Sequence, residues 1–159
     1  MTELADPART VAELRRTIAR QAAQIERLEA EQAAVPRVLV ADDEDDIRAL
    51  VCLAVRKAGC TVAASVADGA AALTAARAEL PRLTVLDVSM PGLSGLEVCG
   101  ALRADPVTAG CRVLLLSAGA SPDDVARGLA AGADSYLAKP FSVAGLVARV
   151  RELTCGGAA

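Results

Sequence analysis

Val38-Leu39-Val40-Ala41-Asp42-Asp43 is a short apolar run that ends abruptly in two carboxylates. It is too short for a helix and rich in β-branched residues, so it reads as a buried strand with the acidic pair at its carboxyl end. Beyond Glu44-Asp45-Asp46, residues 47–57 place Leu50, Leu53 and Ala54 on one helical face, and Gly59 stops that helix. The alternation then repeats. Strands are expected over 60–66, 83–86, 112–116 and 135–138. Helices are expected over 70–80 (ended by Pro81), over 95–103, from Pro122 to near Gly132, and from a Ser142 cap to about Leu153. Ser121-Pro122-Asp123-Asp124 is a good helix start, with Ser at the N-cap and Pro in the first turn. Short apolar strands alternating with helices predict an α/β fold of βα units. The sheet is parallel, doubly wound and covered on both faces.

In such sheets the site lies at the carboxyl ends of the strands. Asp42 and Asp43 follow the first strand, Asp87 the third, Ser117 the fourth and Lys139 the fifth. Three converging carboxylates repel one another and need a cation. Hard oxygen donors without His or Cys select Mg²⁺, which bridges readily to phosphate. A lysine supplies countercharge for a phosphoryl oxygen and a small hydroxyl supplies a hydrogen bond. The set reads as a phosphoryl-transfer site with a carboxylate nucleophile. Taken singly, the same residues have plainer readings. Asp42 or Asp43 can cap the following helix, Asp87 can close a turn, and Tyr136 can be a core aromatic. Gly92 and Gly95 read as turn residues.

Composition removes other chemistries. The 159 residues are 53% hydrophobic and only 1% aromatic, so Val, Leu and Ala must build the core. Histidine is absent, which excludes Ser-His and Cys-His nucleophiles. Five scattered cysteines lack the paired spacing of a disulfide framework or a zinc site, and read as small buried hydrophobes. No apolar run is long enough to span a bilayer, and Met1-Thr2-Glu3-Leu4 does not open a secretory signal, so a cytoplasmic location is expected. From residue 36 onward, 12 Lys and Arg face 14 Asp and Glu, so no nucleic-acid face is expected. No GxGxxG follows the first strand, which disfavours a dinucleotide enzyme.

Residues 8–35 differ in pattern. They contain neither Gly nor Pro, and Val11, Ile18 and Ile25 recur at one heptad position with Leu14 and Leu28 at another. Gln21 interrupts the second series and Gln32 ends the first. β-Branched residues at a and Leu at d favour a parallel two-stranded coiled coil and hence a homodimer. An amphipathic helix lying on its own domain is the alternative.

Four pieces, each after an expected strand, together carry a resemblance. They are Val38 to Asp43, Leu86-Asp87-Val88-Ser89-Met90-Pro91-Gly92-Leu93-Ser94-Gly95, Leu116-Ser117-Ala118, and Tyr136-Leu137-Ala138-Lys139-Pro140-Phe141. Residues 37 to about 154 resemble the receiver domain of bacterial two-component response regulators. The resemblance implies a flavodoxin-like five-stranded sheet of order 2-1-3-4-5, preceded here by an N-terminal amphipathic helix. The chain then divides into an N-terminal helix at 1–35, expected from the heptad pattern to be a coiled coil and atypical of a minimal receiver, a receiver domain at 36–155 and a flexible tail at 156–159. It implies Asp87 as phosphoacceptor, and Mg²⁺ held by Asp43, Asp87 and the Ser89 carbonyl with Asp42 acting through water. Lys139 would pair with the acyl phosphate, and Pro140 would follow it through a cis peptide. Ser117 and Tyr136 would be the switch pair, reshaping the surface of the last two helices and the last strand. Ser89 and Gly119 would flank the phosphoryl site.

The implied protein is a single-domain response regulator, not an enzyme beyond catalysing its own phosphorylation and dephosphorylation. Its partners would be a histidine kinase or phosphotransfer protein and a downstream protein target. A phosphorylation-independent scaffold working through the N-terminal coiled coil is the alternative. An aspartate-nucleophile phosphatase of the dehalogenase type would need a second Asp two residues after Asp87, where Ser89 stands.

Overall fold

The computed structural model describes residues 6–155, with the side chains of 31–34 outside that description. The tail expected at 156–159 therefore lies outside the described residues. The chain divides into two compact units, one ending at Val35 and one beginning at Pro36.

The first unit is one helix, α1 (Pro7–Ala34). Asp6 Oδ1 accepts the Ala8 N–H at 3.1 Å and meets one of the free donors of its first turn. Its heptad residues face solvent, from Val11 at 46% exposed to Ile18 at 63%.

The second unit alternates β1 (Arg37–Ala41), α2 (Asp45–Lys57), β2 (Thr61–Val66), α3 (Gly69–Glu79), β3 (Leu83–Asp87), α4 (Gly95–Ala104), β4 (Arg112–Ser117), α5 (Pro122–Ala130), β5 (Ser135–Ala138) and α6 (Val143–Cys155). The strands form one parallel sheet in the order β2-β1-β3-β4-β5, the doubly wound arrangement expected. Side chains alternate across each strand. Val38, Val40, Val85, Leu114 and Leu116 face α2 and α6, packing on Val51, Val55, Leu146 and Val150. Leu39, Ala41, Leu86, Val113 and Leu115 face the other way, onto Ala72, Ala76, Val98 and Leu102. Both faces are dry, so the central strands read as continuous apolar runs.

Several boundaries move for physical reasons. α2 starts at Asp45, two residues early, because Asp45 and Asp46 suit the positive end of a helix. Its buried face is Val51, Ala54 and Val55; Leu53, expected inside, is 44% exposed. α3 ends at Glu79 and not at Leu80, which caps it in a left-handed conformation (φ 47°) with its N–H on the Ala76 carbonyl; Pro81 disfavours a helical Leu80. Ser94 and Ser121 each close a capping box, with Glu97 and Asp124. Of the cysteines, four are buried as expected, and Cys155 is exposed at the end of α6.

Candidate functional site

The site begins where β1 runs out. The Asp42 N–H donates to the Val66 carbonyl at 3.1 Å, which ties the end of β1 to β2. The Asp42 side chain then turns inward and is fully buried. One carboxylate oxygen accepts the Glu44 N–H at 2.9 Å and the other accepts Lys139 Nζ at 3.2 Å. Asp43, the next residue, is exposed. The plain capping role does not fall to either acid: Glu44 occupies the N-cap of α2, without a side-chain cap bond.

Asp87 ends β3 and is 3% exposed. Its Oδ1 accepts the Ser89 N–H at 3.3 Å and lies 3.4 Å from Lys139 Nζ. The following turn is held by two backbone bonds, Val88 N–H to Leu116 and Gly95 N–H to Val88, each 2.9 Å. Asp42, Asp43 and Asp87 each bring a carboxylate oxygen within 4.8 Å of the others. These are hard donors, and one lysine faces the two buried acids of the trio. That excess negative charge, with no imidazole or thiolate among the ligands, fits Mg²⁺ better than a transition metal.

The electrostatics follow from burial. Burial, and next the charge of Asp42, push the Asp87 carboxyl up to about 6 against the pull of Lys139. Burial pulls Lys139 down, but its hydrogen bond to Asp42 and the charges of Asp87 and Asp42 outweigh it, and the ammonium is held above its usual range.

Ser117 ends β4 and is 8% exposed. Its Oγ accepts the Gly119 N–H at 3.0 Å, and its carbonyl accepts the Lys139 N–H at 2.7 Å. The Lys139–Pro140 peptide is cis, as the resemblance implies. Tyr136 is half-buried, and its hydroxyl donates to the Gly119 carbonyl at 2.5 Å. Ser117, Gly119 and Tyr136 are thus linked through one loop. Ser89 is exposed and Gly119 half-buried beside these groups.

Two residues matter more than their sequence context suggested. Arg48 donates from Nη1 to the Asp42 carbonyl at 2.9 Å and from Nη2 to Asp45 at 2.6 Å, bracing the acidic loop against α2. A lone basic residue one turn after an acidic run was the only signal. Gly95, read as a turn residue, is the place where α4 meets β3: a Cβ there would lie 2.9 Å from the Asp87 carbonyl carbon and from Val88 Cα.

Comparison with known proteins agrees with this geometry. The profile of the response regulator receiver domain matches residues 38–151. The transcriptional regulatory protein PrrA of Mycobacterium tuberculosis is 49% identical over 118 residues, covering 74% of this chain and 49% of PrrA. The DNA-binding response regulator MtrA of Mycolicibacterium smegmatis is 42% identical over 115 residues, covering 72% of this chain and 49% of MtrA. The chain therefore spans about half the length of these relatives. Among solved structures, the signal receiver domain of NarL from Mycobacterium tuberculosis superposes with a TM-score of 0.72 at 35% identity, covering 77% of this chain and 98% of that one. The chemotaxis response regulator CheY4 of Vibrio cholerae superposes at 0.70 with 31% identity, covering 75% and 98%. A profile match over nearly all of the sheet-forming unit, joined to relatives approaching half identity, makes the chain a member of the response regulator receiver domain family.

Proposed function

We propose that the chain is a cytoplasmic phosphorylation switch that accepts a phosphoryl group on Asp87 in a Mg²⁺-dependent reaction and signals to a protein partner by a change of shape. The observation that carries this reading is the meeting of Asp42, Asp43 and Asp87 within 4.8 Å, with Lys139 set 3.2 Å from Asp42 and 3.4 Å from Asp87. Asp43, Asp87 and the Ser89 carbonyl would hold the ion, with Asp42 beside them. Bound Mg²⁺ supplies the positive charge that lets an anionic donor approach three carboxylates.

An Asp87 carboxylate oxygen attacks the phosphorus. The bond from phosphorus to the donor breaks, and its electron pair leaves with the donor: a histidine nitrogen of a kinase or phosphotransfer protein, or acetate from acetyl phosphate. Lys139 neutralises a phosphoryl oxygen. The Ser117 Oγ accepts from the Gly119 N–H and so can donate its own proton to another. Movement of Ser117 would carry Gly119 and its bond from Tyr136, a physical route from the phosphoryl group to β5 and α5. On this reading the chain turns over no substrate beyond its own phosphorylation and dephosphorylation.

Among the described residues no helix is long and apolar enough to cross a membrane. The DNA binding named for MtrA belongs to a protein of which this chain matches about half. No nucleic-acid contact is proposed for residues 36–159, where 12 basic side chains face 14 acidic ones. Whether this chain works alone, as a single-domain regulator, is part of the same proposal.

The test is intact mass after incubation with Mg²⁺ and acetyl phosphate. One added phosphoryl group is expected, and none when the metal is chelated before acetyl phosphate is added. No addition from acetyl phosphate or from a phosphorylated kinase would sink the reading and leave a phosphorylation-independent scaffold acting through α1. Asp43→Ala is expected to weaken Mg²⁺ binding by roughly tenfold or more, about 1.4 kcal/mol, in a calorimetric titration. Unchanged affinity would place the ion elsewhere.

A further inference from the structure

The apolar stripe of α1 has no counterpart within its own compact unit. Val11, Leu14, Ile18, Ile25 and Leu28 are 46%, 57%, 63%, 55% and 53% exposed, and all lie at the a and d positions of one heptad register. A lone helix of 28 residues gains nothing by keeping such a stripe in water. We propose that α1 pairs with α1 of a second copy of this chain, as a parallel, in-register, two-stranded coiled coil.

Three features select that occupant and that orientation. The first is residue type: β-branched Val11, Ile18 and Ile25 at a with Leu14 and Leu28 at d is the pattern that favours two parallel strands.

The second is Gln21, which occupies the middle d position and is exposed. In a parallel in-register pair, Gln21 meets Gln21 of the other copy, and the two amides can hydrogen-bond. In the antiparallel pair that aligns Val11 with Leu28, Gln21 faces Ile18, and each buried amide loses its partner. An unsatisfied polar group in a seam is costly, so the single glutamine sets direction and register.

The third is charge. Arg9, Glu13, Arg16, Arg20, Glu26 and Arg27 all sit at b, c and f, away from the seam. At the flanking positions of a parallel pair Thr10 faces Arg15, Thr17 faces Ala22 and Gln24 faces Glu29, so no like charges oppose each other. At roughly 100 Å² for each of the five apolar side chains, two stripes together hide about 1,000 Å², the size a specific interface has to reach. Both chains then leave the coil at the same end.

The full chain is expected to sediment as a dimer. Ile18→Lys should make it monomeric, while the thermal transition of the 36–159 unit stays where it was. Direction is read by crosslinking in a Cys155→Ser background, since the other four cysteines are buried. Val11→Cys should oxidise to a self-linked dimer, and an equimolar mixture of Val11→Cys and Leu28→Cys should give no mixed product. Gln21→Leu should tighten the dimer by roughly tenfold and let mixed product appear. A monomeric wild type, a dimer that survives Ile18→Lys, or mixed product from Val11→Cys and Leu28→Cys with Gln21 intact would each overturn the proposal.

Discussion

Asp87→Asn is expected to take no phosphoryl group from acetyl phosphate and, in metal-free buffer near pH 7, to be more stable than the wild type by about 1–3 kcal/mol. The first half follows from chemistry, because an amide oxygen is a poor nucleophile and cannot carry the acyl phosphate. The second follows from burial. The unfolded carboxyl titrates near 3.8 and the folded one near 6, pushed up by burial and then by Asp42. Between those values the folded chain holds a proton that the unfolded chain has lost, so stability falls as pH rises from about 4 to about 6. Above 6 both forms are ionised, and the fold carries the whole cost, on the order of 3 kcal/mol. Asn removes that charge. It also leaves Lys139 with Asp42, 3.2 Å away, as its remaining carboxylate partner. The gap between variant and wild type should close below about pH 4, where Asp87 is protonated in both states. Saturating Mg²⁺ should also close it, by stabilising the wild type through binding to the folded state alone. Urea melts at both pH values, with and without Mg²⁺, read all of this. A variant less stable than wild type at neutral pH in chelator would mean that the buried acids do not repel.

The parts of this molecule legible in its sequence are those that depend on local order. Val38-Leu39-Val40 announces a buried strand because both of its faces are apolar, and both are covered. Asp42, Asp87, Ser117 and Lys139 could be brought together on paper because each follows a strand, and parallel strands bring their carboxyl ends to one edge. What stayed hidden depends on reach across the fold. Arg48 looks like any surface arginine until its guanidinium is seen on the Asp42 carbonyl, six residues back. Leu53 looks like a core residue, but the face of α2 that is buried carries Val51, Ala54 and Val55, and Leu53 is 44% exposed. Gly95 looks like a turn because nothing nearby in sequence shows what it approaches.

Gly95→Ala should therefore be the most damaging single-methyl change in the site region, at about 3 kcal/mol or more, with Gly95→Val worse. The added Cβ would sit 2.9 Å from the Asp87 carbonyl carbon and 2.9 Å from Val88 Cα, closer still to the carbonyl oxygen. These are backbone atoms at the end of a central strand, where Val88 N–H is bonded to Leu116 and Gly95 N–H to Val88. No rotamer change relieves the contact. Either α4 slides away from the sheet, opening the core around Val98 and Leu102, or the end of β3 bends and takes Asp87 with it. The first route costs packing and the second costs the site, so lost stability and slowed phosphoryl uptake should appear together. Gly100 supplies the control on the same helix. It is exposed, and a Cβ there meets nothing within 4 Å. Gly100→Ala removes only the entropy penalty of a helical glycine and should stabilise by roughly 0.5–1 kcal/mol. Two alanines five residues apart, in one helix, should then move the melting midpoint in opposite directions. Equal shifts would show that α4 yields at its first turn, and that the close approach to Asp87 does not hold the acid in place.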